Sequence, residues 1–178
     1  MAHIAVPPDL PGIIGLLAYR PETARPLSEL AQVLLRGVST LSAGERELIA
    51  AYVSHRNECY FCSSSHSAAA KYLLDGNKAL VEAVKNNVGT APVSEKLKAL
   101  LRIAGKVQMD GRTVTETDVQ QARALGATDQ ELHDTVLIAA AFCMYNRYVD
   151  GLATWTPREE AVYDSIGKRL AREGYGKG

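Results

Sequence analysis

The chain has no long apolar run, no net charge and few aromatics, and each shortage excludes something. The longest late apolar run, Val136 to Tyr145, is far below the roughly 20 residues a membrane span needs. Lys+Arg and Asp+Glu number 20 each, which removes the main electrostatic reason to expect a nucleic acid or a membrane surface as partner. The start, "MAHIAVPPDLPGIIGLLAYRPE", has no basic leader, and its apolar "GIIGLLAY" is short and flanked by prolines, so a cytoplasmic protein is expected. Strand signals are scarce. No Gly-rich phosphate loop follows a strand, so nothing points to a nucleotide, flavin or haem, and no cofactor is expected. Three cysteines, an odd number, do not make a secreted disulfide framework.

What remains is a 178-residue chain, 47% hydrophobic and 22% charged, long enough to bury a core as a single domain. Zero net charge also leaves little repulsion against self-association. Helix punctuation is frequent. Residues 1–26, with Pro7, Pro8, Pro11, Pro21 and Pro26, read as an irregular arm with one helical turn at most. A short amphipathic helix follows over Leu27–Arg36, stopped by Gly37. Ser42-Ala-Gly-Glu45 is a capping box that starts a helix at Ala43. The next helix runs from about Cys59 to Leu74, and another spans 78–86. Ser94 caps a helix through Lys106, and Thr115 to Ala124 is a further one. Thr128–Glu131 is a second capping box, opening a long helix to about Leu152, and Thr156–Glu159 is a third, with proline at the first helical position. The tail 174–178, "GYGKG", is expected to be loose. The predicted fold is an all-α, single-domain helical bundle over 27–173. There is also a faint internal echo: "LIAAYVSHRN" (48–57) resembles "LIAAAFCMYN" (137–146), with Asn57 falling on Asn146.

The chemistry is concentrated in "GERELIAAYVSHRNECYFCSSSHSAAA", Gly44 to Ala70. On a helix starting near Cys59, the residues Cys59, Cys62, His66, Ala69, Ala70 and Leu73 share one stripe. The two sulfurs then lie at the helix N-terminus, where free N–H groups and the positive end of the dipole favour a thiolate. His66, one turn beyond Cys62, is placed to exchange a proton with it, and cysteines at i, i+3 can close a disulfide. The segment thus offers a nucleophile, a resolving thiol and an acid/base group, which a carboxylate would complete. Glu45 is occupied by the capping box. Glu47 lies opposite the Leu48/Ile49/Tyr52/Val53 stripe, beside Ala50, Ala51 and Ser54, a small-residue face that admits a close helix; the helical wheel alone favours a solvated glutamate there.

The run Glu47…Cys59-Tyr-Phe-Cys62-Ser-Ser-Ser-His66 resembles the carboxymuconolactone decarboxylase/alkylhydroperoxidase D-like superfamily, and more narrowly its peroxidase-related branch. "LPGIIGLL", "RPETARPLSEL", "LLRGVSTLSAGERELIAAYVS" and the late "NRYVDGL" carry the resemblance along essentially the whole chain. It implies an all-helical, oligomerising bundle whose CxxC cycles between dithiol and disulfide. It further implies that Cys62 attacks a hydroperoxide, Cys59 resolves, and His66 and Glu47 form a proton relay, with an external dithiol as reductant. The chain departs from some members at Phe61, where those carry a second histidine, so the relay is expected to be shorter or routed through water.

Two rival readings come from the same residues. CxxC plus His66 supplies three of the four ligands of a structural zinc site, with His55 as the fourth candidate. Alternatively, the dithiol senses redox state in a non-enzymatic helical oligomer. Cys143 reads as a core residue, His133 as a surface one, and Asn146, Arg147 and Asp150 as a buried polar cluster or an interface. Tyr60 and Phe61 either shape the mouth of the site or pack.

Overall fold

Side-chain caps from Ser42, Asn77, Ser94, Thr115 and Thr128 mark five of the helix starts among the described residues. In the computed structural model, which describes residues 2–176, the helices are α1 (Gly12–Tyr19), α2 (Pro21–Arg36), α3 (Ala43–Arg56), α4 (Tyr60–Leu73), α5 (Lys78–Asn86), α6 (Glu95–Asp110), α7 (Glu116–Ala124), α8 (Asp129–Gly151) and α9 (Glu160–Glu173), with a 3-10 turn at Gly111–Thr113. No strand occurs among the described residues, as the scarcity of strand signals predicts. The Ser42/Glu45 and Thr128/Glu131 boxes both form, each hydroxyl taking a first-turn N–H while the carboxylate takes the N-cap N–H. Thr115 forms a further box with Asp118 at the start of α7, while Ser94 caps α6 through its hydroxyl alone. Among the described residues no helix is long and apolar enough to cross a membrane.

The structure differs from the sequence reading at three places. The third capping box does not form. Thr156 instead donates its hydroxyl to the Thr154 carbonyl, and the Pro157 carbonyl accepts from the Tyr163 hydroxyl at 2.6 Å. With those groups engaged, α9 starts only at Glu160, with no side-chain cap. The supposed arm holds α1 and the first turns of α2, so a boundary at residue 26 falls inside a helix. Pro21 sits at the helix start, where it costs nothing, while Pro26 is interior, where the lost backbone bond and the crowding of the preceding turn together cost about 3 kcal/mol. Packing of Leu27, Leu30, Ala31, Leu34 and Leu35 on the core offsets that loss. The third difference is the segment after α9, where Tyr175 packs against the core.

The centre of the bundle is α3, buried on every side from Arg46 to Ser54. A turn of three residues, including Glu58 at φ 58°, folds α4 back against it. The other flank of α4 is covered by α9 at very short range: a Cβ on Gly167 would lie 2.4 Å from the Ala68 Cβ. The main core joins α2, α3, α5, α6 and α8, and a second, smaller apolar cluster gathers Leu16, Cys59, Phe61, Cys62, Val149 and Tyr163.

The internal echo has a physical counterpart where α3 crosses α8. Asn57 Nδ2 donates to Asn146 Oδ1 at 2.8 Å and lies 3.5 Å from Cys143 Sγ, while Asn146 Nδ2 donates to Ser54 Oγ at 3.1 Å. Ser54 and Cys143 are themselves matched positions of the echo. Each asparagine therefore reaches back one turn on the opposite helix, a local reciprocal crossing.

Candidate active site

Cys59 is the N-cap residue of α4 and makes no side-chain cap hydrogen bond. Its N–H donates to the Ser54 carbonyl at 3.1 Å, which fixes the turn out of α3. Cys62 follows in the first helical turn. Both are free thiols and buried, at 0% and 3% exposure. The hydrogen bond with the Cys62 sulfur, then burial, then the charge Cys62 would carry, hold the proton on Cys59 and push its thiol far above the ordinary range, with a smaller push from Asp150.

Between the cysteines, the two aromatics separate cleanly. Phe61 is buried, edge-on to Tyr163 and against Gly12, whose φ of +54° and lack of a Cβ both serve the contact. Tyr60 is 40% exposed and lies beneath the Arg158 guanidinium, 4.2 Å from its ring centre. Phe61 packs; Tyr60 faces outward, over a cleft of about 360 Å³ between α4, α5 and α9.

His66 sits one turn beyond Cys62, and its Nδ1 lies 2.7 Å from Glu47 Oε2. A carboxylate only accepts, so Nδ1 carries the proton and Nε2 is left as the basic nitrogen. The ring is held edge-on by Phe142 at 4.5 Å. Glu47 is wholly buried, contrary to the solvated glutamate that the helical wheel favours. The small Ala50/Ala51/Ser54 face does admit α4, and Glu47 is enclosed as a result. Its other oxygen accepts from Arg36 Nη2 and from the Tyr175 hydroxyl, each at 2.6 Å. Burial by itself would raise this carboxyl; the charge and hydrogen bond of His66, the charge of Arg36 and the Tyr175 hydrogen bond outweigh it, and Glu47 ionises below its ordinary value.

Arg36 and Tyr175 are the members that sequence reasoning missed. Arg36 ends α2, donating also to the Leu35 and Leu170 carbonyls, and reads in sequence as an ordinary basic last-turn residue. Tyr175 lies in a glycine-rich segment 128 residues from Glu47, and no spacing rule connects them. The other singled-out residues lie elsewhere. His55 is exposed, and among the described residues no group of three His, Cys, Asp or Glu side chains is disposed to hold a metal ion. His133 is exposed beside Asp134, and Cys143 is half-buried rather than core. Asn146 is buried, while Arg147 and Asp150 are exposed around a second cleft with Asn57.

Chemically, the arrangement pairs two buried sulfurs with an oriented imidazole, backed by a carboxylate whose charge Arg36 balances. Such a set can move a proton and form a disulfide without a cofactor.

The model of the carboxymuconolactone decarboxylase family matches residues 21–104, a stretch that holds Arg36, Glu47, Cys59, Cys62 and His66. The fold is similar to an uncharacterized peroxidase-related protein with an alkylhydroperoxidase AhpD core from Ralstonia eutropha JMP134, at 27% identity and TM-score 0.78 over 89% of this chain and 81% of that one. It is similar to an uncharacterized peroxidase-related protein from Silicibacter sp. TM1040, at 25% identity and TM-score 0.80 over 92% and 94%. A protein of unknown function from Agrobacterium tumefaciens shares the fold at 20% identity, with TM-score 0.72 over 89% of this chain and all of the other. No curated protein matches the chain. Its matched stretch, its all-helical fold and its structural relatives together support one family for it, the carboxymuconolactone decarboxylase/alkylhydroperoxidase D-like superfamily.

Proposed function

We propose that the protein is a thiol-dependent hydroperoxide reductase working through Cys59 and Cys62. The observation that carries this reading is the hydrogen bond between His66 and the buried, ion-paired Glu47, on the same helix face as two buried free thiols. The names of two structural relatives as peroxidase-related proteins agree with it.

The steps balance as follows. His66 Nε2 takes the Cys62 proton, and the thiolate attacks the terminal oxygen of a hydroperoxide ROOH. The S–O bond forms as the O–O bond breaks, the alkoxide leaves as ROH with the proton returned by His66, and Cys62 becomes a sulfenic acid. Cys59 then attacks that sulfur, releasing water and closing the disulfide. An external dithiol reduces the pair by exchange, becoming a disulfide itself. Glu47 keeps the imidazole in its Nδ1–H form and stabilises the transient imidazolium. Assembly as a homo-oligomer belongs to the same proposal, and the exposed Val33 and Val38 at the α2–α3 corner support it.

Intact mass before and after one equivalent of an organic hydroperoxide tests the reading. A loss of two hydrogens, abolished in Cys59→Ser and in Cys62→Ser, is the expected result. An adduct of a sulfenic-acid probe on Cys62 in the Cys59→Ser protein identifies the attacking sulfur. An unchanged mass in the wild type sinks the reading.

A further inference from the structure

We infer that Tyr175, carried on the segment after α9, is a positioning residue for His66 and completes the site that α2, α3 and α4 leave open. The inference deepens the hydroperoxide-reductase reading and rests on it for the reaction, though not for the geometry. Tyr175 lies outside the stretch that the family model matches.

The segment is built to deliver this side chain. Gly174 adopts φ +69°, a conformation that turns the chain back after α9 and suits glycine. The Tyr175 N–H then donates to Gln32 Oε1 of α2 at 2.7 Å, pinning the turn. From there the hydroxyl reaches Glu47 Oε1 at 2.6 Å and lies 3.2 Å from His66 Nδ1. The ring is stacked on His66, nearly parallel at 6.1 Å between centres, with the Arg36 guanidinium 5.2 Å from its own centre. Burial, followed by the charge and hydrogen bond of Glu47, pushes the phenol well above its ordinary value of 10.0, so it stays a donor across the working range.

The consequence concerns the tautomer and orientation of the imidazole. Without Tyr175, Glu47 Oε1 would keep Arg36 but lose its second donor, and the face of His66 would open to water. The Nδ1–H of His66 would then exchange with solvent and the ring would sample its other tautomer, in which Nε2 bears the proton and cannot accept one from a thiol. The charged and titratable groups coupled to this carboxylate are Arg36 of α2, Arg46 of α3, His66 of α4 and Tyr175 itself, with Asp134 of α8 acting on Arg46. A phenol that remains neutral adds a donor there without adding charge.

The test compares the full chain with Tyr175→Phe, which keeps the ring and loses only the hydroxyl, and with a chain ended after Gly174. Nitrogen-15 NMR of the histidine side chains reads the His66 tautomer, and a stopped-flow measurement reads sulfenic-acid formation on Cys62 in the Cys59→Ser background. The expected result is a mixed tautomer signal in both variants and about a fivefold slower sulfenylation in Tyr175→Phe, the scale of one lost hydrogen bond. A purely space-filling role would leave Tyr175→Phe unchanged. Wild-type tautomer signals in both variants, alongside an altered signal in Glu47→Gln, would overturn the inference. Should the wild-type thiols ignore hydroperoxide, the reductase reading fails while the tautomer signals still decide the role of Tyr175.

Discussion

Glu47 and Arg36 meet at 2.6 Å although they belong to different helices, and neither has much access to water: the glutamate side chain is wholly buried and the arginine side chain 12% exposed. The pair brings the end of α2 onto α3 and presents the second carboxylate oxygen to His66. Removing one partner of such a pair strands the other. Glu47→Gln is expected to lower unfolding free energy by about 3 kcal/mol and to slow Cys62 sulfenylation. Urea denaturation together with the sulfenylation rate checks both. A variant as stable as the wild type would mean that Arg36 finds another partner.

The same carboxylate shapes the acid limb of stability. Glu47 ionises below its ordinary value of 4.5 in the folded chain. Above that value its contribution is fully present. As pH falls, the unfolded chain takes up the proton before the folded one, the unfolded state binds more protons, and stability declines down through the depressed value. Urea midpoints measured from about pH 7 down to about pH 3 should therefore fall less steeply in Glu47→Gln than in the wild type. Parallel curves would show that other carboxylates carry the acid limb.

Cys59 and Cys62 are expected to differ in reactivity. Cys59 keeps its proton because the Cys62 sulfur and burial oppose its ionisation, and the thiolate is the species that alkylates. Brief treatment of the reduced protein with iodoacetamide, followed by peptide mapping, should label Cys62 ahead of Cys59. Equal labelling would remove the assignment of Cys62 as the attacking sulfur.

Gly167 sets the distance between α4 and α9. An alanine there puts its Cβ 2.4 Å from the Ala68 Cβ and 2.5 Å from the Ala68 carbonyl carbon, and the second contact is backbone that cannot swing away. Gly167→Ala is expected to cost about 1–3 kcal/mol through overpacking. Because α9 carries the segment bearing Tyr175, the same variant should also disturb the His66 tautomer. A thermal melt unchanged from the wild type would contradict this packing.

The reciprocal asparagines predict a coupling. Asn57→Ala and Asn146→Ala each strand a partner, and Ser54, fully buried, loses its donor in the second. In a double-mutant cycle the two losses should fall short of additivity by about 1 kcal/mol. Additive losses would mean that the crossing tolerates each change independently.

Helix starts were legible in the sequence because capping is local chemistry: Ser42 and Glu45 find each other within one turn, whatever surrounds them. Thr156 carries the same pattern and fails, because its hydroxyl goes to the Thr154 carbonyl and the Glu159 carboxylate to the Arg158 N–H, competing bonds that the pattern itself does not reveal. The cysteines and His66 were legible because one helix carries them at regular spacing. Glu47 could be named from resemblance but not from its helical wheel, since a glutamate facing alanines looks solvated until α4 closes over it. Arg36 and Tyr175 were invisible. One is an ordinary basic residue at a helix end, the other a tyrosine among glycines, and only the folded chain brings both to the same carboxylate oxygen.

Cys59 occupies a position where helices commonly place Ser, Thr, Asp or Asn, and it offers the first turn of α4 no oxygen. The amide donors of that turn are thus kept for whatever negative charge forms nearby. A thiolate satisfies them; a disulfide, being neutral, does not. The end of the helix accordingly favours the reduced pair over an oxidised one, so that a disulfide closed here would be a strong oxidant, taking electrons from a dithiol more readily than giving them.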